Sequence, residues 1–216
     1  MRADRERCGA VEQGQPVTIA VLDYGMGNLR SVERALTHVG GDAEIRDDAS
    51  AVARAAGLVI PGVGHFGACM RALVSSGLDR TVIEFAGTGR PVFGVCLGMQ
   101  VLFEKSDEDP APGLGLLTGR VRALPSTVKV PHMGWNTVDW APHPYVEGIG
   151  NRERFYFVHS YAPERTDATI GSTTYGHDFS AAVAAGNVFA TQFHPEKSAD
   201  AGLQIYENFV NAVTAG

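Results

Sequence analysis

The chain has 216 residues, of which 44% are hydrophobic and 19% are charged, and its formal net charge at pH 7 is −6. This size and composition favour one globular domain that buries roughly 70% of its unfolded surface. The acidic balance argues against a nucleic-acid partner, which would need a basic patch, and no stretch approaches the roughly 20 apolar residues that span a bilayer.

The three cysteines, Cys8, Cys69 and Cys96, form no close C-x-x-C pair. They therefore indicate neither a disulfide framework nor a metal site. The first hydrophobic run, at 17–22, stops at Asp23 and is too short for a secretory signal. We expect a cytoplasmic protein whose thiols are reduced and which holds no metal.

The order of strand-like and helix-like segments predicts the fold. Residues 1–15 show neither period, and we expect a mobile extension there, before a single domain at 16–216. Strand-like segments then lie at 17–22, 43–46, 58–60 and 91–95, and helix-like segments lie at 29–39, 67–76, 78–86 and 97–103. After Asp107, strand candidates lie at 119–124, 137–140, 154–161, 168–174 and 187–193, and a last helix lies at 201–213. We predict an α/β fold: an open, mostly parallel sheet flanked by helices, with additional antiparallel strands.

Residues 23–28 (DYGMGN) follow the first strand and look like part of a dinucleotide-binding loop. Arg30 occupies the place of the third glycine of that loop, so the match is weak and we predict no cofactor. Asn28 is instead expected to cap the helix that follows.

Cys96 lies between the strand-like run at 91–95 and the helix-like run at 97–103. A sharp strand-to-helix turn lifts a nucleophile clear of the sheet and places it near a helix N-terminus, which favours thiolate. The carboxyl end of a strand is also where ligands bind in open α/β sheets. A buried structural thiol is the alternative for a cysteine taken alone. Cys8 and Cys69 lack such surroundings and are expected to be inert.

The segment Phe193-His194-Pro195-Glu196 supplies a base and a carboxylate two positions apart. The residue before a proline favours an extended backbone, in which alternate side chains share a face. One nitrogen of His194 can then take a thiol proton while the other donates to Glu196. Together with Cys96, these residues predict acyl transfer through a cysteine nucleophile.

Residues 61–67 (PGVGHFG) lie between a predicted strand and a predicted helix. Their glycines let backbone amides approach a ligand and bind negative charge. An oxyanion hole needs two such donors, and we predict the N–H of Leu97 together with that of Val63 or Gly64. An ordinary strand-to-helix loop is the alternative, and His65 is expected to be a loop residue rather than a second base.

Residues 131–136 (PHMGWN) combine imidazole, aromatic and amide groups in one predicted turn, a composition typical of a protein contact surface. A buried structural turn is the alternative. The nearby acids predict a solvated helix end and loop, in which one carboxylate can meet an amino group; they are Glu104, Asp107, Glu108 and Asp109.

Residues 94–100 (GVCLGMQ) and 192–198 (QFHPEKS) together resemble the triad-type, class I glutamine amidotransferases. With 61–67 and 131–136 added, the chain from about residue 17 onward is similar in particular to the glutaminase subunits of imidazole glycerol phosphate synthases. The resemblance implies hydrolysis of glutamine to glutamate and ammonia. It also implies a heterodimer in which ammonia passes to a (β/α)8-barrel cyclase subunit that makes imidazole glycerol phosphate and AICAR in histidine biosynthesis.

Carried onto this chain, the resemblance implies that Cys96 forms a γ-glutamyl thioester, that His194 moves protons and that Glu196 orients His194. The implied glutamine-binding residues are Gly64, Gln100, Glu108, His159 and Ser160. The implied partner-facing residues are Asn28, His132, Met133, Gly134, Trp135, Asn136, Tyr161 and Lys197. We expect low glutaminase activity until the partner binds, because glutamine would otherwise be wasted. The extension at 1–15 departs from the usual pattern.

Three alternatives stay open at this point. Another glutaminase of the same class, serving anthranilate, purine or pyridoxal phosphate synthesis, would keep the fold and triad, and only residues 132–136 and the context of Met99 argue against it. A non-catalytic regulator of the same fold is disfavoured by the complete triad. A peptidase or γ-glutamyl hydrolase would act without a partner.

Overall fold

The computed structural model describes residues 18–215, so the extension predicted at 1–15, including Cys8, and the predicted domain start at residue 16 lie outside the described residues. The strands are β1 (Thr18–Leu22), β2 (Asp42–Arg46), β3 (Gly57–Gly62), β4 (Val92–Cys96), β5 (Phe103–Ser106), β6 (Leu117–Ala123), β7 (His132–Thr137), β8 (Asp139–Trp140), β9 (Arg154–His159), β10 (Tyr161–Pro163), β11 (Thr169–Tyr175), β12 (His177–Ala185) and β13 (Val188–Thr191). The α-helices are α1 (Leu29–His38), α2 (Ala49–Arg54), α3 (Phe66–Ser76), α4 (Leu78–Gly87), α5 (Leu97–Gln100) and α6 (Ala199–Thr214). Single turns of 3-10 helix lie at Pro144–Val146 and Pro195–Lys197. Within the described part of the chain, no helix is both long and apolar enough to cross a membrane.

Eight of the strands form one sheet in the order β2-β1-β3-β4-β13-β12-β11-β8. The pairs from β2 to β13 are parallel, and the pairs from β13 to β8 are antiparallel. Two small sheets, β10-β6-β5 and β7-β9, lie outside it. The predicted α/β fold with a mostly parallel sheet and extra antiparallel strands is confirmed.

Alternate residues of the parallel strands pack on opposite faces of the large sheet. In β1, Ile19 and Val21 belong to one hydrophobic core, whereas Ala20 and Leu22 belong to the other. The first core includes residues of α1 and α6, and the second includes residues of α2, α3 and α4. Because both faces are covered, the inner parallel strands β1, β3, β4 and β13 appear in the sequence as largely apolar runs, whereas the edge strand β2 does not.

The run at 97–103 does not form the single helix that the sequence predicted. Helix α5 ends at Gln100, and Phe103 begins β5, which pairs in parallel with β6. Periodicity does not distinguish a helix from a strand over so short an apolar run. The pairing with β6 therefore decides the outcome, and Glu104 lies in a strand rather than at a helix end.

The prediction of a turn at 131–136 is also wrong. His132–Thr137 is the strand β7, and it pairs with β9 in antiparallel register, with His132 opposite His159. The side chain of His132 is buried, whereas Met133 and Trp135 are exposed, as expected when alternate residues face opposite ways. Pairing with a partner strand overrides the local preference from which the turn was predicted.

We expect Gly98→Ala to lower the free energy of unfolding by about 1–3 kcal/mol, measured by urea denaturation. A Cβ at this position would clash with the carbonyl oxygen of Ile60, which is held in β3. Gly87→Ala is the matched control, because a Cβ there meets no atom within 4 Å. Equal effects of the two substitutions would contradict the proposed close packing at Gly98.

Candidate active site

The backbone turns sharply at Cys96, where β4 meets α5. Cys96 has φ 55° and ψ −110°, which L-residues rarely adopt. Such a conformation costs roughly 1–3 kcal/mol and persists only where the surrounding packing imposes it. Gly94 permits the turn to lie close to the sheet, since a Cβ there would come within 2.8 Å of the Gly98 carbonyl oxygen. The structure thus places the thiol at the strand-to-helix turn that the sequence predicted.

His194 and Glu196 form a buried pair directly after β13. The Nδ1 atom of His194 lies 2.8 Å from Oε1 of Glu196, and the two side chains are 3% and 1% exposed. The hydroxyl of Tyr206 donates to the second carboxylate oxygen at 3.4 Å. Because a carboxylate accepts hydrogen bonds, Nδ1 of His194 carries a proton and Nε2 is left for chemistry.

Two backbone contacts fix the position of His194. Its N–H donates to the carbonyl of Tyr156 at 2.9 Å, and its carbonyl accepts from the hydroxyl of Ser198 at 2.6 Å. Its Nε2 atom is buried and makes no hydrogen bond within residues 18–215. The ring is therefore held from one side while its reactive nitrogen stays available.

The surroundings of His194 favour its charged form. Burial lowers the pKa of His194, but the proximity of Cys96 and Glu196 outweighs burial and raises it to about 10. An imidazole with a raised pKa readily keeps a proton that a neighbouring thiol gives up. This is the electrostatic arrangement that a cysteine nucleophile and its base require.

The predicted site residues line one cavity of about 260 Å³. Its walls include every residue predicted for the oxyanion hole and every residue predicted to hold glutamine, next to the nucleophile and its base: Val63, Gly64, Cys96, Leu97, Gln100, Glu108, His159, Ser160 and His194. Pro131, Val158 and Tyr161 complete the lining. Segments far apart in sequence thus converge at the carboxyl ends of β3 and β4.

Glu108 and His65 both lie at the start of α3. Oε2 of Glu108 accepts the N–H of Phe66 at 2.7 Å, and Nδ1 of His65 accepts the N–H of Gly67 at 3.2 Å. A carboxylate at a helix N-terminus is stabilised by the unpaired amides there. His65 is a helix cap, in agreement with its predicted role as a loop residue, while Glu108 lines the cavity.

His132 and His159 form a second buried pair, distinct from the first. Nδ1 of His159 lies 2.9 Å from the carbonyl of Tyr161, so it carries the proton and donates. Nε2 of His159 then accepts from Nδ1 of His132 at 3.0 Å. Burial lowers the pKa of His159 to about 3 and that of His132 to about 4, so both rings are neutral at pH 7.

The position of His132 corrects one expectation. Its ring is stacked between Phe157 and Tyr175, at centroid distances of 5.0 and 3.9 Å, and only 4% of the residue is exposed. A side chain so enclosed cannot face a partner. Burial, which was the alternative to a contact surface for this segment, applies to His132, whereas its neighbours Met133 and Trp135 are exposed.

The outer face of β7 and β9 carries exposed apolar side chains. Met133 is 63% exposed and Trp135 is 47% exposed, and the ring of Trp135 meets Tyr156 edge-on at 6.1 Å. The ammonium of Lys197 lies 6.0 Å from the centre of the Tyr156 ring. Of the other residues predicted to face a partner, Asn28, Gly134, Asn136 and Tyr161 are partly exposed. We call Met133, Trp135, Tyr156 and Lys197 the β7–β9 surface.

Asn28 does not act as the predicted helix cap. It occupies the N-cap position of α1, but its side chain makes no capping hydrogen bond. The residue type and spacing indicated the position correctly, whereas the side-chain orientation depends on tertiary contacts that the sequence does not specify.

Comparison with known proteins agrees with this geometry. The sequence profile of the family described as "Glutamine amidotransferase class-I" matches residues 20–213. The chain belongs to this family. A solved structure described as a glutamine amidotransferase superimposes with a TM-score of 0.72, over 91% of this chain and 98% of that one, at 22% sequence identity. That likeness shows a shared fold.

Close relatives narrow the family further. The chain is 48% identical over 207 residues to imidazole glycerol phosphate synthase subunit HisH of Aromatoleum aromaticum. The aligned region covers 89% of this chain and 97% of that relative. The protein of the same name from Dechloromonas aromatica is 48% identical over 206 residues, covering 89% and 95%. Within the glutamine amidotransferases, the chain belongs with these HisH subunits.

We expect Glu196→Gln to lower the pKa of His194, because the amide keeps the size of the side chain but removes its charge. A histidine whose pKa is raised by folding adds stability that is fully present below about pH 6.5. That stability is lost as the pH rises toward the folded-state value of about 10. Between about pH 7 and 9, the free energy of unfolding of the wild type should therefore fall more steeply than that of the variant.

Urea unfolding across this pH range measures the difference. Glu207→Gln, also a change of one carboxylate to an amide, is the control and lies in α6. Parallel pH profiles for the wild type and Glu196→Gln would contradict the assigned pair.

Proposed function

We propose that this protein hydrolyses glutamine to glutamate and ammonia as the glutaminase subunit of an imidazole glycerol phosphate synthase in histidine biosynthesis. The observation that carries the proposal is the cavity that joins Cys96, on its strained turn, to the His194–Glu196 pair. The HisH relatives support the choice of this synthase over the anthranilate, purine and pyridoxal phosphate alternatives.

In the first step, Sγ of Cys96 attacks the side-chain amide carbon of glutamine, and Nε2 of His194 takes the thiol proton. The carbonyl oxygen becomes an oxyanion. We propose that it is stabilised by the N–H of Leu97 together with that of Val63 or Gly64, all of which line the cavity. Gly64 has φ 104°, which suits a backbone donor in a turn where other residues would be strained.

In the second step, the C–N bond breaks and His194 gives its proton to the departing nitrogen, which leaves as ammonia. The product on the protein is a γ-glutamyl thioester at Cys96. His194 then takes a proton from water as water attacks the thioester, and the thiol is restored when glutamate leaves. Glu196 stays ionised and holds the imidazole in the orientation that each step needs.

We propose that Gln100, Glu108 and Ser160 hold the glutamine. Glu108 uses one carboxylate oxygen on the N–H of Phe66, and the other is suited to the α-amino group of the substrate. Both ring nitrogens of His159 are engaged, with Tyr161 and His132. His159 therefore contributes by fixing the backbone beside Ser160 rather than by a ring contact.

We propose that the β7–β9 surface, together with Asn28, Gly134, Asn136 and Tyr161, binds a (β/α)8-barrel cyclase subunit in a heterodimer. Aromatic residues and exposed methionine are enriched at protein interfaces. Val158 of β9 and Tyr161 also line the cavity, so this surface lies next to the site where ammonia would be released. A partner bound here can receive ammonia without its escape to solvent.

We also propose that the protein acts in the cytoplasm, where glutathione keeps thiols reduced. Cys69 and Cys96 are both free and buried, and the mechanism needs Cys96 as a thiol. We also propose that residues 16–216 form one domain and that residues 1–15 are an extension before it.

We expect glutamate release from glutamine to be slow for the protein alone and at least tenfold faster with the cyclase subunit and its nucleotide ligand. Cys96→Ala should abolish release under both conditions, because the thioester cannot form. Coupled detection of glutamate measures both rates. Cys69→Ala is the control, since Cys69 is also buried but lies outside the cavity. Release that survives in Cys96→Ala would contradict the proposal.

We expect Trp135→Ala to weaken binding of the cyclase subunit by about tenfold or more, because exposed tryptophans are often dominant contacts at interfaces. Titration calorimetry with the purified cyclase measures the affinity. Val74→Ala is the control: Val74 is 58% exposed and lies on α3, away from the β7–β9 surface. Unchanged affinity in Trp135→Ala would place the partner elsewhere.

A further inference from the structure

Gln192 is a fully buried polar residue between β13 and the pair formed by His194 and Glu196. Its Nε2 atom lies 3.7 Å from Sγ of Cys96, within the range of a hydrogen bond to sulfur. We propose that Gln192 is a further catalytic residue, which donates from its amide to Sγ and stabilises the thiolate. This inference rests on the proposed function, in which Cys96 is the nucleophile.

The orientation of the Gln192 amide follows from its neighbours. A carbonyl oxygen only accepts, so the atom of Gln100 that lies 2.9 Å from the carbonyl of Tyr161 is its NH2 group. A second proton of this group points to Oε1 of Gln192, at 2.9 Å. The oxygen of the Gln192 amide is thereby assigned, and its NH2 group faces Cys96.

The carbonyl of Tyr161 anchors this arrangement. It accepts from Gln100 and also from Nδ1 of His159, which is held in turn by His132. The NH2 group of Gln100 therefore donates to this anchor with one proton and to Gln192 with the other, and Gln192 donates in turn to the sulfur of Cys96. A flip of the Gln192 amide would place two NH2 groups in contact and two acceptors, Oε1 and Sγ, in contact.

Besides His194, whose pKa the nearby Cys96 helps to raise, Sγ has a further polar neighbour that makes this donor important. The carbonyl oxygen of Val158 lies 4.0 Å from Sγ and would repel a thiolate. Gln192 supplies the opposite partner, since an N–H directed at sulfur favours the anion over the neutral thiol. Hydrogen bonds to charged groups in a buried, weakly polar site are stronger than those between neutral groups.

The test is the rate at which iodoacetamide alkylates Cys96 at neutral pH in the full chain, followed by mass spectrometry of the peptide that carries it. Gln192→Met keeps the length of the side chain but removes the donor, and the rate should fall about tenfold. Gln192→Glu keeps the shape but replaces the donor with a negative charge, and the rate should fall about a hundredfold. Gln204→Met, on α6, should react like the wild type.

Equal rates for the wild type and both variants would overturn the proposal. Equal losses in the Met and Glu variants would also overturn it, because a packing defect does not depend on charge. Thermal unfolding first establishes that each variant is folded. If neither Gln192 variant folds, Gln100→Met decides: it frees the Gln192 amide to turn, and the rate should fall two- to threefold, whereas an unchanged rate would overturn the proposal.

This readout is separate from glutamine hydrolysis. Alkylation in the predicted order, without glutamate release by the wild type plus cyclase, would support the role of Gln192 and overturn the proposed function. Glutamate release by the wild type, together with equal alkylation rates among the variants, would support the proposed function and overturn the role of Gln192.

Discussion

The active site depends on a strained backbone conformation that close packing holds in place. Cys96 occupies a region of backbone space that favours glycine, and it does so because β3, β4 and α5 approach one another at glycines. A side chain at Gly62 would lie 2.5 Å from the Gly98 nitrogen, and one at Gly98 would overlap the Ile60 carbonyl. Each missing Cβ lets α5 lie closer to the sheet. The turn is thereby fixed, and the thiol, the Leu97 amide and the cavity take their positions from it.

Two buried pairs near this turn contain histidine, and the pKa of histidine is raised in one pair and lowered in the other. His194 is paired with a carboxylate, which helps to raise its pKa against the effect of burial. His132 and His159 are paired with each other, and burial lowers their pKa values, so they stay neutral and serve as directional hydrogen-bond donors. Burial alone would make all three rings neutral. The nearby sulfur of Cys96 and the carboxylate of Glu196 are what convert one of them, His194, into a base that can hold a proton.

Much of the site was predictable because its signals are local. A strand-to-helix turn at Cys96 and an extended segment at His194 and Glu196 follow from neighbouring residues, and continuous apolar runs indicated the parallel strands. Three features were not predictable, because they depend on contacts between segments that lie far apart in the sequence. The strand β7 exists because β9 pairs with it, His132 is buried because Phe157 and Tyr175 enclose it, and Gln192 meets Sγ only because β13 lies beside β4. For Gln192, the available signal in the sequence was its place in the same short motif as His194.

Trapping the covalent intermediate shows whether Cys96 is the nucleophile that glutamine hydrolysis uses. The protein, with its cyclase subunit and an excess of glutamine, would be quenched in acid during turnover and digested, and each cysteine peptide would be weighed by mass spectrometry. We expect an added glutamyl group on the peptide that carries Cys96 and an unmodified peptide for Cys69. A glutamyl group on another residue, or continued turnover with no adduct at Cys96, would contradict it.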